Sequence, residues 1–176
     1  MDEESPGKYP DPDPTYELTY DNVMKMFAIH LRFRCGIPVV IMGETGSGKT
    51  RLVRFMCDLL RGKSIEQNML ILKTHGGVTE AEIFERVRGA VRLAQRNRKR
   101  GVPQTVLFFD EANTTEAIGA IKTVMCDGLC DGERIPADCG LCFVAAVNPY
   151  REHTPEMINK LENAGLGYHM KAEETK

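Results

Sequence analysis

The apolar residues of this protein fall into two kinds of run. Short unbroken runs occupy residues 39–42 (VVIM), 69–73 (MLILK), 105–111 (TVLFFDE) and 141–147 (LCFVAAV). Such runs, bounded by turn residues, read as strands buried on both faces, as in a parallel sheet. Between them the apolar positions recur every three or four residues. Residues 21–34 carry Val23, Met26, Phe27, Ile29, His30 and Phe33 near helical spacing, with Thr19 and Asp21 where a cap falls, and stop at Cys35-Gly36 and Pro38. Residues 51–60 carry Leu52, Phe55, Met56 and Leu59 and end at Gly62. Thr79 and Glu82 have the spacing of a capping box for a helix to about Arg98, with Ile83, Val87, Ala90, Val91 and Ala94 as its stripe. A helix over 116–126 follows a cap at Thr114 or Thr115 and ends at Asp127-Gly128. Residues 129–140 read as a loop or short hairpin, and Thr154-Pro155-Glu156 opens a last helix bearing Met157, Ile158 and Leu161. Strands alternating with helices predict an α/β fold, a parallel sheet between two helical layers.

One strand-to-helix junction carries chemistry. The run 39–42 leads into GETGSGKT, which satisfies G-x-x-x-x-G-K-[ST] through Gly43, Gly48, Lys49 and Thr50. Glycines let the backbone curl so that its N–H groups point at phosphate oxygens, and the following helix N-terminus adds partial positive charge. Lys49 is expected at the β- and γ-phosphates, and Thr50 on Mg²⁺. Gly43, Glu44, Thr45, Gly46, Ser47, Gly48, Lys49, Thr50 and Arg51 form the candidate nucleotide-binding set. A chance Gly/Ser turn is the bland alternative, and the flanking strand and helix argue against it.

The second chemical stretch is 105–111, an apolar run ending in paired carboxylates. Asp110 is expected to help hold Mg²⁺, and Glu111 to polarise an attacking water as general base. Asn148, at the end of the run 141–147, is a candidate to orient that water, although a lone Asn before Pro149 is more often a turn former.

Composition narrows the setting. The sequence has 176 residues, 42% of them hydrophobic, and a formal charge of −2, which argues for one globular domain without bulk attraction to nucleic acid or acidic membrane. Residues 1–17 are acidic and proline-rich and read as a disordered tail or linker, 18–168 as the core, and 169–176 as a frayed end. No run has the length of a membrane span, and the first residues lack the pattern of a secretion signal, so a cytoplasmic setting is expected. Six cysteines then read as reduced thiols. Cys126, Cys130, Cys139 and Cys142 do make a C-x3-C-x8-C-x2-C series, a weak zinc signal because Cys142 lies inside an apolar run. His30 reads as a half-buried packing residue and His75 as a loop residue at a strand end. Arg86, Arg88, Arg92, Arg96, Arg98, Lys99 and Arg100 make a basic helix surface, read first as a solvated face and second as a docking surface. No aromatics interleave with these arginines, so nucleic acid is not an expected partner.

In order, these elements resemble the large subdomain of an AAA+ P-loop ATPase: residues 43–50 match Walker A, 106–111 match Walker B and Asn148 matches sensor 1. The blocks 18–50, 110–128 and 147–168 resemble more closely an AAA+ module of the mysterin family, giant dynein-like RING-type E3 ubiquitin ligases. The resemblance implies a three-layer parallel sheet with the Walker B and sensor strands beside the phosphate loop. It implies Mg²⁺-dependent ATP hydrolysis driving conformational change or assembly, with neighbouring AAA+ modules as partners. It further implies a much larger cytosolic parent associated with ubiquitin transfer, lipid droplets and defence against intracellular microbes. The sequence departs from a complete module: the lid subdomain is absent or truncated, and no arginine finger, sensor 2 Arg or RING-type cysteine and histidine array is assigned. Two alternatives therefore stand beside hydrolysis, a regulatory ATP-binding module without turnover and a stand-alone AAA+ regulatory ATPase. A GTPase is disfavoured because no Asn-Lys-x-Asp guanine-reading motif occurs. Tyr20 and the helix after it are candidates to line a base pocket, but their spacing does not demand it.

Overall fold

The computed structural model describes residues 11–149. Four strands form one parallel sheet: β1 (Val39–Met42), β2 (Met69–Lys73), β3 (Thr105–Asp110) and, after a short hairpin of β4 (Leu129–Cys130) with β5 (Glu133–Arg134), β6 (Leu141–Val147). Their order across the sheet is β1-β6-β3-β2. β6 therefore lies between β1 and β3, and among the described residues it is the one strand paired with β1. Of the two strands expected beside the phosphate loop, β6 is the immediate neighbour of β1 and β3 lies one strand further. The long connections are helical, as parallel pairing requires: α1 (Tyr20–Arg34), α2 (Lys49–Arg61), α3 (Glu80–Lys99) and α4 (Ile118–Lys122).

The alternation along β3 builds two cores. Val106 and Phe108 point to α1 and α2, where they pack with Phe33, Val53, Phe55 and Met56. Leu107 and Phe109 point to the other face, against Ile83, Val87 and Ala90 of α3 and Ile121 of α4. Both phenylalanines are 0% exposed, so the middle strand is covered on each side and the architecture is α/β/α. Among the described residues β1 lies at the edge of the sheet, with Val40 and Met42 62% and 70% exposed.

Local signals explain the helix starts. The Thr19 hydroxyl accepts from the Asn22 N–H and the Thr79 hydroxyl from the Glu82 N–H, each satisfying one orphan donor of a first turn. α2 has no such cap and begins at Gly48, in the left-handed region at φ 84°. The expected helix 116–126 is two pieces: α4, then a π-type turn over Thr123–Asp127 that closes on Gly128 at φ 66°. Within 129–140 the β4–β5 hairpin turns on Asp131 and Gly132, both at positive φ. Asp-Gly is the pair that such a turn selects.

Spacing alone identifies the apolar stripes only in part. Val23, Phe27 and Leu59 are 44%, 55% and 46% exposed, while Val53 and Cys57 are buried on α2. Residues 11–17, whose composition suggests a disordered tail, instead pack on α2. Tyr16 lies against Phe55 with ring centroids 4.7 Å apart, and Arg51 pairs with Asp13 at 2.9 Å. The expected helix from Thr154 and the frayed end 169–176 lie outside the described residues.

A buried polar side chain ties the far end of α3 to the sheet. Asn97, 0% exposed, donates to the Gln67 carbonyl at 2.8 Å and to the Thr105 hydroxyl at 2.9 Å. Its backbone carbonyl accepts from the Arg100 and Val102 N–H groups and so ends the helix. Asn97→Ala strands the Gln67 and Thr105 acceptors in the interior and is expected to cost about 1–3 kcal/mol. Urea unfolding of the two proteins measures it, and an unchanged midpoint would contradict the account.

Candidate nucleotide site

The candidate residues converge at the carboxyl edge of the parallel sheet, where open α/β sheets place ligands. The loop leaves β1 at Gly43, whose N–H donates to the Val147 carbonyl at the end of β6, 3.2 Å away. A Cβ at Gly43 would lie 2.9 Å from the Ser47 hydroxyl oxygen, so a side chain there would require that hydroxyl to turn away. Gly46 and Gly48 take φ of 82° and 84°, where L-residues are strained. Between them the Ser47 N–H bonds the Glu44 carbonyl at 3.2 Å. Glu44, Thr45, Gly46, Ser47 and Gly48 are exposed, and Lys49 and Thr50 half-buried, at the first turn of α2.

Lys49 joins two of the motifs. Its Nζ donates to the Gly43 and Glu44 carbonyls at 2.6 and 2.8 Å and to Asn148 Oδ1 at 3.2 Å. Residues 99 positions apart in sequence thus meet across the β1–β6 pair. Asp110 ends β3 in register with Lys73 of β2, and its carbonyl accepts from both the N–H and the hydroxyl of Thr74, at 2.9 and 2.7 Å.

Glu111 is the first residue past the strand and sits at φ 57°, a left-handed conformation uncommon for a non-glycine residue. The turn that follows is well braced. The Glu111 carbonyl accepts from the Thr114 N–H and hydroxyl, both at 2.9 Å, and the same hydroxyl lies 2.8 Å from the Thr74 carbonyl. The Ala112 N–H donates to the Ala146 carbonyl at 2.8 Å, extending the β3–β6 pairing past the strand. Asn113 then uses its carboxamide in both directions: Nδ2 donates to the Asn148 carbonyl at 3.0 Å and Oδ1 accepts from the Asn148 N–H at 3.3 Å. Neither Asn113 nor Thr74 is marked by motif spacing; each sits within a few residues of a strand whose end is marked.

Other candidates are placed differently. Arg51 carries its guanidinium to Asp13, Thr15 and the face of Tyr16, 5.3 Å from the ring centroid. The hydrogen bond from the Thr15 hydroxyl, with Arg51 beside it, holds Asp13 below the usual carboxylate range. Tyr20 is 81% exposed. His75 is exposed and its Nδ1 accepts from the Gly77 N–H at 3.3 Å, which makes it a turn-shaping residue. His30 is half-buried on α1. Among the basic residues of 86–100, Arg88 pairs with Asp131 and Arg100 with Glu66 on the exposed surface. A cavity of about 780 Å³ lies at the opposite edge of the sheet, between Pro38, Gln104 and Leu141, and holds none of the phosphate-loop or acidic candidates.

The site fits Mg²⁺ with phosphates better than a metal held by protein alone. Among the described residues no three His, Cys, Asp or Glu side chains gather as a metal cluster. Mg²⁺ commonly takes one or two protein oxygens, with phosphate oxygens and water completing its shell. The Thr50 hydroxyl and Asp110 carboxylate are donors of that hard kind. The four cysteines of the series are not gathered as a metal cluster among the described residues: Cys130 is buried and donates to the Phe84 carbonyl, whereas Cys126 is exposed.

A family model described as the RNF213 AAA domain matches residues 16–151. The chain belongs to the RNF213 AAA domain family. It is 63% identical over 170 residues to "E3 ubiquitin-protein ligase rnf213-beta" of Danio rerio, covering 96% of this sequence and 3% of that protein. To "E3 ubiquitin-protein ligase RNF213" of Mus musculus and of Homo sapiens it is 56% identical over 165 residues, 94% of this sequence and 3% of each. It thus spans about 3% of the length of the RNF213 proteins it matches. The resemblance to the mysterin family, carried by the three sequence blocks, agrees with this. No helix among the described residues is long and apolar enough to cross a membrane.

Thiol chemistry separates the cysteines. Burial pushes the thiols of Cys57 on α2 and Cys142 on β6 up to about 12 from an ordinary 9.0. Both stay protonated in the folded protein while the unfolded polypeptide begins to ionise near pH 9, so their contribution to stability is complete below about pH 9 and is lost between about pH 9 and 12. In mildly alkaline buffer a thiol-reactive dye is expected to label Cys35 and Cys126 rapidly, the half-buried Cys142 more slowly and Cys57 only on unfolding, as peptide mapping of the labelled protein reports. Rapid labelling of Cys57 in folded protein would contradict its placement.

Proposed function

We propose that this protein is a Mg²⁺-dependent ATP-binding and hydrolysing module of a giant E3 ubiquitin-protein ligase. The observation that carries the reading is the Lys49 to Asn148 contact, which joins the phosphate-loop cation to the strand end beside the two acidic residues. Backbone N–H groups of residues 46–50 would receive the phosphates, and Lys49 would offset their charge. Thr50 and Asp110 would hold the metal, which when bound supplies charge neutralisation of the phosphate oxygens. Glu111, turned out of the strand by its left-handed backbone, would take the proton of the attacking water, and Asn148 would fix that water's position. Arg51 belongs to the same loop-to-helix junction, where it pairs with Asp13.

The product of such a cycle is movement. Loss of the γ-phosphate removes the partner of Lys49 and Asn148, so contacts change at the ends of β1 and β6 together. Neighbouring AAA+ modules of the same or another polypeptide would receive that change, and ubiquitin transfer would reside elsewhere in the parent protein. A cytoplasmic parent, in part on lipid droplets, is consistent with this reading.

The test is ATP binding and turnover by the wild type, Lys49→Ala and Glu111→Gln, each also in the parent protein. Lys49→Ala is expected to lose binding. Glu111→Gln is expected to bind ATP as the wild type does and to lose turnover by about 100-fold or more, the range given by a general base. ATP bound without turnover in both the module and the parent would replace the reading with a regulatory nucleotide-binding module.

A further inference from the structure

Asn148 matters to the proposed chemistry only if its side chain is held where Lys49 meets it, and the strand alone does not hold it. The β3–β6 ladder ends with Phe109 opposite Ala145, and β6 runs on for two more residues to Val147. On its other side the last β1–β6 pair is Met42 with Val147, one residue short of Asn148. The backbone at Asn148 has therefore left both ladders. Its N–H and C=O groups are taken up by one side chain, the amide of Asn113, through bonds of 3.3 and 3.0 Å. Asn113 is brought there by the left-handed turn at Glu111 and by the Ala112 N–H bond to Ala146.

We infer that Asn113 is a positioning residue: its carboxamide replaces the missing ladder pair, fixes the backbone of Asn148, and so sets the Asn148 side chain against Lys49. The match of chemistry to task is narrow. A carboxamide presents a donor and an acceptor side by side, as a peptide group does. Aspartate at 113 would keep the acceptor for the Asn148 N–H but set an oxygen against the Asn148 carbonyl. Alanine would leave both groups of Asn148 to water. The same turn carries Glu111, so Asn113 also links the acid's loop to the amide's strand end, and the two functional side chains keep a fixed relation.

This inference rests on the hydrolytic reading for its effect on rate, but not for the clamp itself, so two measurements are made on the 176-residue protein. Amide hydrogen exchange at the Asn148 N–H needs no nucleotide. Asn113→Ala is expected to raise that exchange well above the wild-type rate, with Asn113→Asp in between, while α2 and α3 amides stay unchanged. Unchanged exchange at Asn148 in Asn113→Ala overturns the clamp. The second measurement is a double-mutant cycle on ATP turnover, carried out with the parent protein as well. Asn113→Ala is expected to lower kcat by between about 10- and 100-fold, the scale of a small misplacement, with little change in KM. In an Asn148→Ala background the same substitution is expected to cost less than about 2-fold, because the group it positions is gone. An equal loss in both backgrounds overturns the positioning role. Absence of turnover in the wild type refutes the hydrolytic reading instead, and the exchange measurement then decides the clamp alone.

Discussion

Everything at the carboxyl edge depends on one strand having two neighbours. β6 lies between β1 and β3, so the loops that leave those strands are tied to adjacent carbonyls of a single strand. Gly43 N–H takes the Val147 carbonyl and Ala112 N–H takes the Ala146 carbonyl. Successive carbonyls of a strand point to opposite sides in the sheet plane, so β6 can bond one loop on each flank without competition. The phosphate-loop turn and the acidic turn are therefore registered to each other through two backbone hydrogen bonds to one strand.

That registry explains where the sequence is informative and where it is silent. The four strands are short and unbroken in apolar character because both faces of the sheet are covered, and the structure reproduces the bounds expected for β1, β2 and β6. β3 ends at Asp110, one residue before the expected end, because Glu111 departs from extended geometry. Thr79 is legible as a cap because capping is a local bond between residues three apart. The order of strands is not legible: it depends on which helix covers which face, a long-range matter that periodicity does not encode. The stripe on α2 misleads at Leu59 for a related reason, since burial by both α1 and the sheet selects Val53 and Cys57 as well.

The site divides in the same way. Lys49, Thr50, Asp110, Glu111 and Asn148 stand out because their residue types and spacing are chemically constrained. Their supports do not, because any loop contains threonine and asparagine. Thr74, Asn113 and Thr114 become visible only when the ends of β2, β3 and β6 are brought side by side. Their bonds all go to backbone carbonyls or N–H groups, and no spacing rule announces such bonds in a sequence.

The two halves of the edge differ in how closely their backbones are braced. On the acidic side, Thr74, Thr114 and Asn113 pair the backbone at Asp110, Glu111 and Asn148, and the strained φ of Glu111 persists because those bonds surround it. On the phosphate-loop side, residues 44–48 are exposed, and the backbone ties are Gly43 to Val147 at one end and Ser47 to Glu44 within. The Lys49 ammonium rests on the Gly43 and Glu44 carbonyls, oxygen acceptors that an incoming phosphate can replace at small cost because both are acceptors for the same donor. In the proposed function, an exposed loop set opposite a turn with a braced backbone would let the difference between a γ-phosphate and none be read against that turn. The Lys49 to Asn148 bond links the two halves, so in the proposed function a change of partner at Lys49 would reach the end of β6.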